Sequence, residues 1–253
     1  MSLLLLFCLL LDAESSAWLG NLGFDVRLFD QVPVSRIIDE ELAKHDEDTN
    51  RLMFKFTEAD YEPFYSLLRA ISETPPGWLE EEAKKLHART PFRVTDLFNR
   101  PAETRGKPVL LHGFVKRIRL IPVADTESLF GIDQYYQMEL FTVQSRGNPI
   151  VVCVRSLPEG MPVGSSNDFS ELVTVAAVPY KLWIYETQKG PHYAPVLVGR
   201  SPVWHPKLTR KHPPELVTVF STTVFFTLIL LWFACRSWSR RNRKRRATPR
   251  PRP

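Results

Sequence analysis

Hydrophobic positions change period along this chain, and the changes divide it. Residues Leu3 to Leu11 are a run of nine apolar side chains. Up to about Pro91 the apolar positions recur every three or four residues. Tyr61, Phe64, Tyr65, Leu68 and Ile71 fall on one helical face. Asp60 is read as the cap of that helix, with Pro63 tolerated in its first turn and Thr74-Pro75-Pro76-Gly77 ending it. Leu79, Ala83 and Leu86 mark a second helix, with Glu80–Lys84 and Glu81–Lys85 as i,i+4 pairs. A short earlier helix is expected over Ser35 to Lys44, with Ile38 and Leu42 inward.

Beyond Pro91 the period falls to two. Strands are predicted over Pro108 to Ile121, Tyr135 to Val143, Ile150 to Val154, Leu172 to Tyr185 and Tyr193 to Val198. Gly113 inside the first is read as the site of a strand bend. Ser201 to Pro214 carries four prolines and reads as a stalk. Leu216 to Cys235 follows, twenty residues without a charge. A helix of about 20 such residues matches a hydrocarbon core roughly 30 Å thick. The expected layout is a signal peptide over 1–17, a helical segment over 18–90, a β-domain over 91–200, a stalk over 201–215, a transmembrane helix over 216–235 and a basic tail over 236–253.

Charge refines that layout. The net charge is +5, but nine Lys/Arg and no Asp/Glu follow residue 215. Without those nine, 24 basic residues face 28 acidic ones, a balance of −4. The positive-inside rule then predicts a single-pass membrane protein of the cell envelope, its tail cytoplasmic and its folded part on the other side. Ser15-Ser16-Ala17 offers small residues for signal cleavage, although no Lys or Arg precedes the apolar run and Asp12 and Glu14 follow it. A lost upstream segment, or a buried N-terminal strand or helix, are the alternatives. The three cysteines are Cys8, Cys153 and Cys235. Only Cys153 falls in the predicted folded part, so no disulfide forms within it.

Five strands in this order, a long glycine-bearing first strand and an extended connection between the third and fourth resemble OB-fold modules. The overall layout also resembles uncharacterised bacterial single-pass membrane proteins. The OB resemblance implies an α+β chain with a five-stranded antiparallel barrel. Leu157 to Glu171, with its prolines and Ser165-Ser166-Asn167, stands where such modules often carry a helix. The resemblance also implies a polymer-binding face across the first strands. Lys116, Arg117 and Arg119 on the first strand, with Tyr135, Tyr136 and Phe141 on the second, are the candidate ligand-binding residues. The alternative is that the aromatics are core and the basic side chains merely solvated.

Catalytic signatures are missing. The chain contains no phosphate-binding glycine loop, no GxSxG and no HExxH. Glu41 and His45 share a helical face at i,i+4, half of a metal site at most, so no metal and no cofactor is expected. The sequence thus predicts a non-enzymatic, membrane-anchored binding or scaffolding protein. Its expected partners are the lipid bilayer and an envelope protein or glycan, with nucleic acid disfavoured by the mildly acidic folded part. The alternatives are an enzyme acting on an envelope polymer, or a nucleic-acid-binding module if the topology is inverted.

Overall fold

The computed structural model describes residues 18–38, 44–45, 52–53, 56–123, 130–187, 190–206, 225–236 and 238. It divides into two units, 1–207 and 208–253.

The first unit is organised by one strand. Running Glu171–Thr187, β7 is longer than any of its partners, so several strands pair its edges in succession. β1 (Ser35–Ile38) and β4 (Val109–Pro122) share one edge, parallel and antiparallel to it respectively. β8 (Gly190–Gly199) and β9 (Val203–His205) share the other, both antiparallel. β5 (Gln134–Phe141) pairs antiparallel with β4 and with β6 (Ile150–Val154), and β6 lies parallel to β8. β4, β5, β6, β8 and β7 therefore form a closed circuit of hydrogen-bonded neighbours. Two short strands, β2 (Lys44–His45) and β3 (Leu52–Met53), make a separate antiparallel pair.

This corrects the expected fold class. The predicted strands stand close to where the period-two pattern put them, but they do not build a five-stranded antiparallel OB-like barrel. The sheet is mixed and has seven strands, with two parallel pairings and with β1 and β9 added along β7. The region expected to be helical over 18–90 is also mixed. Ser35–Ile38, read as helix, is a strand, because Ile37-Ile38 follow Pro33 and the carbonyl of Val34 accepts from the amide of Leu182. The segment read as stalk begins with β9.

Alternation along the circuit sorts side chains into two clusters. Leu111, Val115, Ile118, Met138, Leu140, Val152, Val175 and Leu197 belong to one, inside the circuit. Val151, Cys153, Ala176, Val178, Val196 and Val198 point the other way, under a helical layer. Both faces of β6 are thus buried, which explains its continuous apolar run. The layer consists of α1 (Glu58–Ser72), α2 (Trp78–Arg89) and the segment around Val26–Gln31, and it contributes Phe24, Phe29, Phe64, Leu68, Ile71 and Leu79. α1 is capped by Thr57 rather than Asp60, so Pro63 sits in its second turn and removes one bond to the carbonyl of Ala59. On α2 the ion pair given by the geometry is Glu82–Lys85 at 2.7 Å, one step from the expected pairs. Short helices α3 (Asp96–Asn99) and α4 (Pro101–Thr104) lead into β4, and Leu97 of α3 joins the inner cluster.

In the second unit residues 225–236 are helical. Among the described residues no helix is long and apolar enough to cross a membrane. The predicted transmembrane helix, the single-pass topology and the membrane localisation are corrected accordingly. Residues 216–224 of the predicted span, the signal-peptide region 1–17 and the tail beyond Trp238 lie outside the described residues.

Candidate binding surface

The structure separates the six predicted ligand-binding residues, and a β-bulge is the reason. Val115 pairs with Leu140 and Arg117 with Glu139, so Lys116 is an extra residue on β4. The bulge reverses which side chains point outward. Val115 and Ile118 both enter the inner cluster, while Arg117 turns to the outer side of the sheet. There Arg117 is 0% exposed, with Nη1 3.1 Å from Oε1 of Glu139. Arg119 donates from Nη2 to Oε1 of Gln137 at 2.8 Å. Tyr135 is buried against Phe64 and Tyr65 of α1, with ring centroids 5.3 and 6.4 Å away. Tyr136 is half-buried against the inner cluster. Only Lys116 and Phe141 remain near a common surface.

That surface is the part of the outer face with no helix above it among the described residues. Strand registers place its members on one side. Phe114 lies opposite Phe141 on β5 and Leu172 on β7. His112 lies opposite Thr174, Thr174 opposite Val203, and Leu172 opposite His205. Phe114 is 47% exposed and Val203 50%, while Phe141 is half-buried beside them. Lys116 stands at the rim and donates to Oγ of Ser170 at 3.0 Å. Glu171 of β7 lies opposite Val115, on the inner side, where its Oε2 accepts from the indole N–H of Trp204 at 2.7 Å. The face is therefore aromatic and apolar at its centre, with amine and imidazole groups around it. Gly113 serves it differently from the expected bend: an added Cβ would strike the carbonyl oxygen of Phe141. The glycine thus lets β4 and β5 approach closely beneath the two phenylalanines.

At the helix-covered end lies an arrangement that sequence reasoning missed. A second bulge, between Pro179 and Lys181, turns the consecutive side chains of Tyr180 and Lys181 toward α1. Nζ of Lys181 donates to Oδ1 of Asp60 at 2.6 Å, and both side chains are buried. Oδ2 of Asp60 accepts from the amide and the hydroxyl of Thr57, at 2.9 and 2.8 Å. Arg36 in turn donates to that hydroxyl at 2.7 Å. The ammonium also lies 5.4–5.7 Å from the ring centroids of Phe56, Tyr180 and Trp183. Burial by itself raises the Asp60 carboxyl, but Lys181 and the Thr57 donors outweigh it and hold the group below its ordinary value. Burial pushes Lys181 down to about 8 against the attraction of Asp60, with Arg36 and Arg105 adding to the push. Two further cations tie the helical layer to the sheet. Arg105 donates to the carbonyl of Val32 at 2.9 Å, and Arg200 to that of Thr74 at 2.8 Å. The available signal was a lone lysine after a proline inside the apolar run of β7.

Among the described residues no three His, Cys, Asp or Glu side chains gather as a metal site. Glu41 lies outside the described residues, and His45 stands on β2 rather than on a helix. Cys153 is buried and its thiol is pushed far up by burial, which removes it as a nucleophile. Comparison with protein families, curated proteins and solved structures gives no match.

Proposed function

We propose that the protein is a non-enzymatic binding module, and that the open face of β5, β4, β7 and β9 receives an extended segment of a protein partner. The observation that carries this reading is Phe114. Its ring stands half in solvent at the centre of an apolar patch, on a sheet whose outer side is elsewhere covered. Large exposed aromatics flanked by polar groups are the usual anchors of recognition. Lys116, His112 and His205 around it favour acidic side chains on the partner. β9 adds a main-chain contribution, because among the described strands it pairs only with β7. An edge of this kind can accept an added strand.

The test is binding of the full chain to an array holding acidic peptides with alternating apolar positions, basic peptides of the same pattern, and glycans. Retention of acidic peptides is expected, with at least a tenfold loss in Phe114→Ser. Binding to glycans alone, or peptide binding indifferent to Phe114→Ser, would overturn the reading.

A further inference from the structure

We infer that His112 and His205 form a two-imidazole site for a borderline divalent transition metal, of the Zn2+, Cu2+ or Ni2+ class. The site is independent of the peptide-binding reading, although it lies on the same face. Nδ1 of His112 and Nε2 of His205 each lie 3.0 Å from the same atom, Oγ1 of Thr174. The two ring centroids are 5.9 Å apart and the planes meet at 60°. Two imidazole nitrogens from different strands therefore aim at one point above a third strand. β4, β7 and β9 fix that convergence through consecutive pairings, His112 with Thr174 and Leu172 with His205.

The hydrogen bonds themselves show that one of the two nitrogens offers a lone pair. One hydroxyl has one proton, so it can donate to only one ring and must accept from the other. The accepting ring nitrogen carries a lone pair already, and the other gains one by a change of tautomer. Rotation of the Thr174 side chain then opens the convergence point to a metal ion. Metal–nitrogen distances are about 2.0–2.1 Å, so the rings need close by only a fraction of their present distance to that point. The donors are imidazoles, which suit Zn2+, Cu2+ and Ni2+ and not Mg2+ or Ca2+. The site supplies two ligands from the protein and leaves the remaining positions to water or to a donor on a bound partner.

Cu2+ titration of the full chain, followed by electron paramagnetic resonance, tests this. The expected result is a tight first equivalent whose spectrum shows coupling to two nitrogens. His112→Gln and His205→Gln, on different strands and both at exposed side chains, should each weaken that equivalent at least tenfold. Each should also reduce the coupling to one nitrogen. Zn2+ should raise the melting temperature of the unaltered protein and leave that of both variants unchanged. A first equivalent that keeps its affinity and its two-nitrogen spectrum in either variant would overturn the assignment. So would a Zn2+ effect on melting that survives both substitutions.

Discussion

The two ends of the circuit's outer face present similar residue types to opposite effect. At the covered end Lys181 stands among Phe56, Tyr180 and Trp183. At the open end Lys116 stands beside Phe114 and Phe141. Each group combines a lysine with aromatic rings on a strand bent by a bulge. The difference is the helical layer. Where α1 lies over the sheet, the lysine loses its water and must be answered by a carboxylate, which Asp60 supplies at 2.6 Å. Where no helix lies above, Lys116 meets a serine hydroxyl and solvent, and Phe114 keeps its ring exposed. A basic and aromatic composition thus carries no meaning until the covering layer is known.

Removing the carboxylate should break the comparison most severely. Asp60→Ala leaves a buried ammonium with no opposite charge, and loss of one partner of such a pair costs about 3–5 kcal/mol. It also takes away the acceptor of both Thr57 donors at the start of α1. Chemical denaturation should show that loss. Asp60→Leu combined with Lys181→Met replaces the pair by apolar groups, and should recover most of it, since such replacements are often neutral or stabilising. If the double variant is as unstable as Asp60→Ala, the pair is not the source of the effect.

Acid provides a gentler version of the same test. The Asp60 carboxyl titrates below its ordinary 3.8 in the folded protein. The unfolded chain therefore binds this proton more readily, and stability falls as pH drops below about 4, through the folded value. Above that range the contribution is fully present. Unfolding free energies measured from pH 6 to 2 should show this decline, and Asp60→Asn should flatten it. An unchanged slope in Asp60→Asn would place the acid sensitivity elsewhere. No counterpart is expected from the open face, where no carboxylate is held in this way.

The places where sequence and structure part follow from this asymmetry. Strand patterning located β4, β5, β7 and β8, and a short continuous apolar run located β6, because each buries at least one face. It could not locate the bulge at Lys116, since Lys-Arg-Ile-Arg alternates well in either phase. That single extra residue sent Arg117 to Glu139 and left Lys116 in solvent. For Tyr135 the sequence allows a ligand-binding or a core reading, and only the packing of Phe64 and Tyr65 of α1 shows that its side of β5 is covered. β1 was read as helix because Ile38 and Leu42 have helical spacing, although β-branched pairs also suit a strand. His205 lies in a proline-rich stretch of sequence, and only the pairing of β9 with β7 brings it to Thr174. Of the predicted span, residues 216–224 lie outside the described residues, and among those described no helix is long and apolar enough to cross a membrane.

The smallest expected effect sharpens the comparison most. Phe114→Ser removes a large apolar ring, and in the covered layer such a change costs about 3–5 kcal/mol. At the open face the ring is already half in water, and surface substitutions generally stay within about 0.5 kcal/mol. Denaturant unfolding of Phe114→Ser should therefore match the unaltered protein to about that margin, while Phe64→Ala in α1 falls by the core amount. A loss above about 2 kcal/mol in Phe114→Ser would mean that its ring stabilises the fold as the covered aromatics do. The distinction between a packed and an open end would then fail, and with it the argument that Phe114 is kept on the surface for a partner. Near-neutral stability together with lost peptide binding would separate recognition from folding at a single side chain.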